Sequence, residues 1–364
     1  MQFNLAILPG DGVGPEVGDE GIKVLQAIGA KFGHTFNLEY GLVGGVAIDK
    51  EGTALSDETF KMCRDSDAVL LAAVGDPRYD DPQAKIHPED GLLKLRGGMG
   101  LFANLRPVKV FPPLVDNTNF RPEVVDGTDF IFIRELTGGL YFGQPQKTWR
   151  TPEGRQAIDS MTYTEPEIER ILRVGFEIAR NRKKKLISVD KANILQTSRL
   201  WRQVAMELSS DYPDVELEHM LVDACAMRII QNPRYLDTLV TENTFGDILT
   251  DEASMLAGSM GMLASASLAG VPREGVRTVG MYEPIHGSAP RRAGQNIANP
   301  IATILSMALM LRYSFALSRE AQIIENAVEQ VLQADYRTYD IMGEGKTKVG
   351  TKEMGNLITA KIGD

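Results

Sequence analysis

The chain opens on a short apolar run, Leu5-Ala6-Ile7-Leu8, that Pro9 and Gly10 break at once. Directly after it, Val17, Ile22, Val24, Leu25 and Ile28 recur at the spacing of one helical face. The pattern then repeats: Asp57 to Arg64 has helical spacing, and Ala68 to Ala72 is a second apolar run. Strands alternating with helices predict an α/β fold, a largely parallel sheet covered by helices. With 364 residues, 43% of them hydrophobic and 24% charged, the chain can bury one or two sizeable cores.

The stretch 138–161 departs from that pattern, being polar and rich in Gly, Pro and aromatic residues. Leu140-Tyr141-Phe142 and Met161-Thr162-Tyr163 form short alternating runs in and beside it, and the whole predicts a projecting hairpin arm. Beyond it the pattern predicts a helix, a strand at Leu186 to Val189, a helix at Leu200 to Leu208 and a long helix from Asp247 onward. No linker marks a boundary, so two domains would be crossed by the chain more than once. The expected division is 1–101 plus 258–364 as one domain and 102–257, with its arm, as the other.

Charge and cysteine usage exclude several classes. A formal charge of -10 repels polyanions, so no nucleic-acid partner is expected. The basic run Arg180 to Lys185 closes an apolar-periodic helix, where cations complement the carboxyl-end dipole. Cys63 and Cys225 lack any CxxC spacing, which argues against a disulfide framework or zinc site and fits a reducing cytoplasm. The apolar stretch Ile301 to Leu311 is too short to cross a bilayer, and the first residues carry no basic leader, so a soluble, cytoplasmic protein without a membrane partner is expected.

Several constellations point to chemistry. Gly10-Asp11-Gly12-Val13-Gly14-Pro15 follows a strand and opens a helix, yet its third glycine comes too early for a dinucleotide fingerprint, so it reads as a tight turn near a ligand. Arg96, Arg106 and Arg134 sit among apolar or small residues, where a guanidinium needs an anionic partner: a diacid substrate, or structural carboxylates. Asp247 and Asp251, four apart, stack on one helical face, and oxygen-only ligands of this kind favour Mg²⁺ or Mn²⁺; dipole-favoured surface acids are the alternative. Asp223 lies in an apolar stretch and could add a third ligand. Lys191 ends a strand, where a base could be tuned, and Tyr141 among glycines could donate a proton. The loop Glu283 to Gly294, Gly- and Pro-rich, could wrap a nucleotide with Arg291 and Arg292 toward phosphate, or could simply cap the next helix.

Leu5 to Pro15 (LAILPGDGVGP), Leu101 to Val108 (LFANLRPV), Arg134 to Gly143 (RELTGGLYFG), Val189 to Leu195 (VDKANIL), Thr241 to Met255 (TENTFGDILTDEASM) and Glu283 to Pro300 (EPIHGSAPRRAGQNIANP) together resemble the landmarks of the isocitrate/isopropylmalate family of β-decarboxylating dehydrogenases, in order and over essentially the whole chain. The isopropylmalate branch is the most similar. This resemblance implies a large mixed sheet flanked by helices, two domains and a dimer arm. It implies oxidative decarboxylation of 3-isopropylmalate to 4-methyl-2-oxopentanoate in leucine biosynthesis, with reduction of NAD or NADP. Lys191 would take the C2 hydroxyl proton, Tyr141 would protonate the carbon left after decarboxylation, and Arg96, Arg106 and Arg134 would clamp the carboxylates. Asp223, Asp247 and Asp251 would hold Mg²⁺ or Mn²⁺, with Asp223 also near the substrate. Cofactor contacts would fall at Glu89, Asn193, His286, Gly287, Ser288, Ala289, Pro290, Arg291, Arg292, Ala298 and Asn299. In the family Lys191 and Asp223 come from the partner subunit, so a homodimer with shared active sites is expected.

Leu92 and Leu93 would offer apolar surface to an isopropyl group, where isocitrate-using relatives place polar groups. A D-malate or tartrate dehydrogenase and a non-catalytic nucleotide-binding relative are the alternatives. NAD-using members usually carry an aspartate where this chain has Arg291, a change that lowers the penalty against a 2′-phosphate. NAD is the expected cofactor, with NADP close behind.

Overall fold

The computed structural model describes residues 1–81, 84–273 and 275–363. Its centre is a sheet of ten strands: β1 Gln2–Leu8, β2 Thr35–Tyr40, β3 Ala68–Leu71, β4 Ala103–Lys109, β5 Asp129–Glu135, β8 Lys185–Asp190, β9 Glu216–Leu221, β10 Thr238–Thr241, β11 Ala264–Leu268 and β12 Gly280–Pro284. The intervening β6 (Lys147–Thr151) and β7 (Gly154–Ile158) form a separate antiparallel pair. Across the large sheet the order is β2-β1-β3-β12-β11-β4-β5-β10-β8-β9. It is mixed. β11 runs antiparallel to β12 and β4, and β4 antiparallel to β5, while the other pairings are parallel.

The predicted alternation holds at the first unit. β1 ends where Pro9 and Gly10 break it, and the helix Gly14–Phe32 begins with Pro15 in its first turn, where a missing N–H costs nothing. Gly10 and Gly12 have φ of 66° and 58°, a backbone region that suits glycine, and a side chain at Gly12 would run into the carbonyl of Ser288. Asp57–Asp65 and Gln196–Ser209 are also helical. The helix Ile301–Tyr313 is buried on nearly all sides, and no helix among the described residues is long and apolar enough to cross a membrane. Inner β-strand side chains such as Ile187, Leu239 and Phe132 are fully buried, each contributing about 1.5–3 kcal/mol of hydrophobic stabilisation.

Two expectations need correction. The helix predicted from Asp247 onward begins four residues earlier, as Asn243–Ser254, because Glu242 caps it by accepting the backbone N–H groups of Thr244 and Phe245. Asp247 therefore sits in its second turn. Nor are Leu140-Tyr141-Phe142 and Met161-Thr162-Tyr163 strands. Gly139–Tyr141 is a single 3₁₀ turn, because Gly138 and Gly139 press against the Tyr163 ring and leave no room for side chains on a pleated strand. The exposed hairpin of the arm is β6 and β7 alone. The division expected after residue 101 and before 258 falls between β4 and β11, which are paired strands of one sheet with Leu105 opposite Ala266.

The basic run is a structural feature. Arg180 pairs with Asp214, Arg182 with Asp129 and Asp237, and Lys185 with Glu218.

Candidate active site

Ligands of α/β sheets gather at the carboxyl ends of parallel strands. Three neighbours here, β5, β10 and β8, carry Arg134, Glu242-Asn243 and Lys191 at or just past those ends. Strand register fixes the first cluster: Arg134 lies opposite Thr241 of β10 on one side and Asn104 of β4 on the other.

Arg134 is buried, and each of its guanidinium nitrogens donates one hydrogen bond within the chain. Nε and Nη2 donate to Asn243 Oδ1 at 3.0 and 2.8 Å, and Nη1 donates to Asp247 Oδ1 at 2.5 Å. Burial lowers its pKa from the ordinary arginine value, Asp247 opposes that shift, and the nearby cations Arg106 and Arg96 add to it. The mutual influence places all three predicted arginines in one electrostatic neighbourhood. Tyr141, on its 3₁₀ turn, donates its hydroxyl to Asp247 Oδ2 at 2.8 Å. Burial and that hydrogen bond raise the tyrosine pKa, so the group keeps its proton at neutral pH. One turn along the helix, Asp251 accepts from Arg106 Nη1 at 3.2 Å, and the same nitrogen reaches Thr250 Oγ1 at 2.8 Å.

Each predicted arginine therefore has a carboxylate of its own chain: Arg134 with Asp247, Arg106 with Asp251, and Arg96 with Glu283 at 2.9 Å. Repulsion between Asp247 and Asp251 is offset here by guanidinium groups. Arg96 Nε is buried without a partner, which leaves a donor for an incoming anion.

Lys191 and Asp223 lie apart from this cluster. Lys191 follows β8, Asp223 is in the first turn of the helix Val222–Gln231, and the two form an ion pair with each other. The lysine side chain holds the Asp223 carboxyl below its usual pKa. Among the described residues no three acidic, His or Cys side chains stand close enough to hold a metal ion, so one copy of the chain does not bring Asp223 to Asp247 and Asp251. The donor set at the helix Asn243–Ser254 suits Mg²⁺ or Mn²⁺ in part: it offers two carboxylates, oxygen ligands only, and leaves the rest of the ion's shell to other oxygen donors.

A second group of loops lies past β1, β3 and β12, which are adjacent in the sheet. Asp11 accepts the backbone N–H groups of Gly45, Val46 and Gly75, and Val13 donates to the Ser288 carbonyl at 2.7 Å. The GDGVGP turn is thus the floor on which His286 to Arg292 rests. Ser288 and Glu89 both border Gly75, whose missing side chain leaves the space between them open. Gly287 is exposed, and Ala289 adopts a left-handed conformation that turns the chain into the short 3₁₀ helix Pro290–Arg292. His286 has a buried Nε2 without a partner, and burial lowers its pKa, so the ring is neutral at pH 7. Arg292 stacks on Tyr339, 4.8 Å from the ring centroid, and donates to its hydroxyl. Arg291 is exposed. Ala298 and Asn299 serve the fold: the Ala298 carbonyl accepts from Thr351, while Asn299 caps the helix Ile301–Tyr313 and donates to Asp340. Asn193 is exposed on the loop after Lys191. Leu92 is partly buried against the core near Val43 and Leu55, whereas Leu93 is 51% exposed.

The sequence reading missed Asn104, Asn243, Glu242 and Glu283. Asn243 and Glu283 give a weak signal because they act on residues far along the chain, Arg134 and Arg96, whereas Asn104 and Glu242 act locally, on Arg106 and on the N–H groups of Thr244 and Phe245. All four lie inside or beside the quoted motifs, which is the only cue available before folding.

Comparison with known proteins gives a consistent result. A curated protein of Dehalococcoides mccartyi (strain CBDB1) named 3-isopropylmalate dehydrogenase is 67% identical over all of both chains. One from Carboxydothermus hydrogenoformans with the same name is 54% identical over 99% of this chain and 95% of its own. Among solved structures, isocitrate dehydrogenase from Methylococcus capsulatus superposes with a TM-score of 0.83 at 31% identity, covering 100% of both chains. The sequence profile described as Isocitrate/isopropylmalate dehydrogenase matches residues 4–358, and the chain belongs to that family.

Proposed function

We propose that the chain oxidises and decarboxylates 3-isopropylmalate with a nicotinamide cofactor and a divalent cation, as a homodimer. One observation carries this reading above the names of its relatives: a single carboxylate, Asp247, is gripped by Arg134 and Tyr141 beside the Arg106–Asp251 pair. That places two anion-binding cations, a phenol and two oxygen ligands around one small volume.

The diacid substrate would bind through Arg96, Arg106 and Arg134, which offer planar forks suited to carboxylates. Their own carboxylate partners hold them in place before substrate arrives, so little ordering remains to be done. A divalent cation at Asp247 and Asp251, when bound, would supply positive charge beside the oxygen that becomes an enolate. The loop from His286 to Arg292 would hold a nicotinamide cofactor, which would supply the acceptor for the C2 hydride. Lys191, in its neutral form, would accept the C2 hydroxyl proton as that hydride leaves. After CO₂ departs, the Tyr141 hydroxyl would give its proton to the carbon that lost it, a role its raised pKa suits.

Lys191 and Asp223 stand away from Asp247 in one chain, so they would serve the site of a second copy. Exposed apolar side chains support such a contact. Met227 and Ile230 on the helix Val222–Gln231 are 56% and 48% exposed, and Ile248 on the neighbouring helix Asn243–Ser254 is 64% exposed. Leu93 would face the isopropyl group. NAD is the favoured cofactor, with NADP a close competitor because Arg291 and the Tyr339-stacked Arg292 could meet a 2′-phosphate.

Steady-state assays with 3-isopropylmalate, D-malate and isocitrate, each with NAD or NADP and Mg²⁺, test the proposal. The highest kcat/KM is expected for 3-isopropylmalate; a preference for either other acid would overturn it.

A further inference from the structure

Behind the site lies a buried junction that none of the roles above uses. Tyr163, between the arm and the helix Glu165–Arg180, is buried with its ring edge-on to Trp201 at 5.9 Å. Its hydroxyl oxygen accepts the backbone N–H of Asn243 at 3.0 Å. Two buried carboxylates approach the same oxygen, Glu135 at 3.5 Å and Glu242 at 3.4 Å. A phenol has one proton to give, so it stands between the two acids and donates to one of them at a time.

The three partners of that oxygen lead to two parts of the active site. Asn243 begins the helix that carries Asp247 and Asp251, and its side chain fixes the Arg134 guanidinium. Glu242 caps that helix. Glu135 accepts the N–H groups of Thr137 and Gly138 at the entrance to the turn bearing Tyr141, and Arg170 Nη2 also donates to it at 3.0 Å. The ring of Tyr163 is what Gly138 and Gly139 press against: a side chain at either would come within 2.6 and 2.5 Å of it. The turn that presents Tyr141 and the helix that presents Asp247 therefore meet at this hydroxyl, beside the Asn243 side chain, whose Nδ2 donates to the Leu136 and Gly138 carbonyls at 3.2 and 3.1 Å.

We propose that Tyr163 is a positioning residue that sets the Tyr141 hydroxyl against Asp247, with Glu135 and Glu242 as the two acids that hold it there. This rests on the functional reading above, in which Tyr141 is the proton donor. Removing the hydroxyl would leave the Asn243 N–H unmet and two carboxylates facing each other without a shared proton. The turn and the helix would then shift relative to each other, and small misplacements of a reacting group cost up to about 10²-fold in rate.

The test is a double-mutant cycle on kcat for 3-isopropylmalate with Mg²⁺, using Tyr163→Phe, Tyr141→Phe and both together. The expected result is a fall in kcat of about tenfold or more for Tyr163→Phe, with KM for substrate within about threefold. In the Tyr141→Phe background the further loss should be under about twofold, because the group being positioned is already gone. A merely structural role would lower activity equally in both backgrounds, and that outcome overturns the proposal, as does a rise in KM at unchanged kcat. Should Tyr163→Phe fail to fold, Glu242→Gln makes the same test without a cavity. Its amide oxygen keeps the Phe245 N–H, while the nitrogen in place of Oε2 no longer accepts the Tyr163 proton, and a kcat loss of about threefold that vanishes in the Tyr141→Phe background is expected. An equal loss in both backgrounds overturns the proposal here too. Absence of turnover by the parent chain would overturn the functional reading and this proposal with it; parent turnover that Tyr163→Phe leaves unchanged would overturn this proposal alone.

Discussion

Two groups of candidate catalytic residues differ in how the chain treats them. Arg134, Tyr141 and Asp247 are bound to one another, with Arg106 and Asp251 beside them, on strands and a helix whose ends are capped and whose cores are packed. Lys191 and Asp223 have only each other, on elements one and two strands further toward the sheet edge. The first group is half of a site that one chain completes. The second is an acid and a cation that the same chain does not join to the first group, and in the proposed homodimer the exposed apolar residues beside it would be the contact.

That contrast sets the size of each expected effect. Lys191→Ala removes a proton acceptor nothing nearby can replace, so kcat for 3-isopropylmalate should drop about 10²–10⁴-fold with the fold intact by circular dichroism. Normal turnover in that variant would remove Lys191 from the chemistry and blur the comparison. Chelation of divalent cations should also stop turnover, and Mg²⁺ or Mn²⁺ should restore it. Activity that persists after exhaustive chelation would leave Asp247 and Asp251 as partners of arginine only. Leu93→Ala should lower kcat/KM for 3-isopropylmalate about tenfold while leaving D-malate nearly unchanged, since one lost apolar contact is worth about 1–3 kcal/mol. Equal losses on both substrates would move the alkyl pocket elsewhere. The smallest effect is expected at the cofactor loop, where Arg291→Asp should shift the NAD to NADP ratio of kcat/KM by about fivefold toward NAD.

How much of this was legible beforehand follows from where the determining contacts lie. The β1 strand, the turn at Gly10 to Pro15 and the helix after it were readable because their signals are local: an apolar run, glycines at positive φ and a proline in the first turn. The start of the helix at Asn243 was not, because a glutamate cap looks like any acid until its carboxylate meets the next N–H groups. Leu140 to Phe142 failed as a strand for a reason invisible in sequence, the Tyr163 ring packed on Gly138 and Gly139. In the site, Asp247 and Asp251 could be placed on one face by spacing alone, and the three arginines by their apolar surroundings. Structural carboxylates as their partners were also foreseen, but which one each arginine holds was not readable, since Arg134 meets Asp247 across 113 residues of chain. That Asp223 joins them was suggested by its apolar stretch and by the resemblance, and the geometry of one chain keeps it apart.

The claim that each site is built from two copies has a direct test. Lys191→Ala and Asp247→Asn chains, each inactive as a homodimer, can be unfolded together, refolded as a mixture and assayed with 3-isopropylmalate. If Lys191 serves the partner's Asp247, each hybrid dimer contains one site free of both substitutions, and activity should return to about a quarter of the parent level. No recovery above the sum of the two separate variants would contradict the account and put both groups in the same chain.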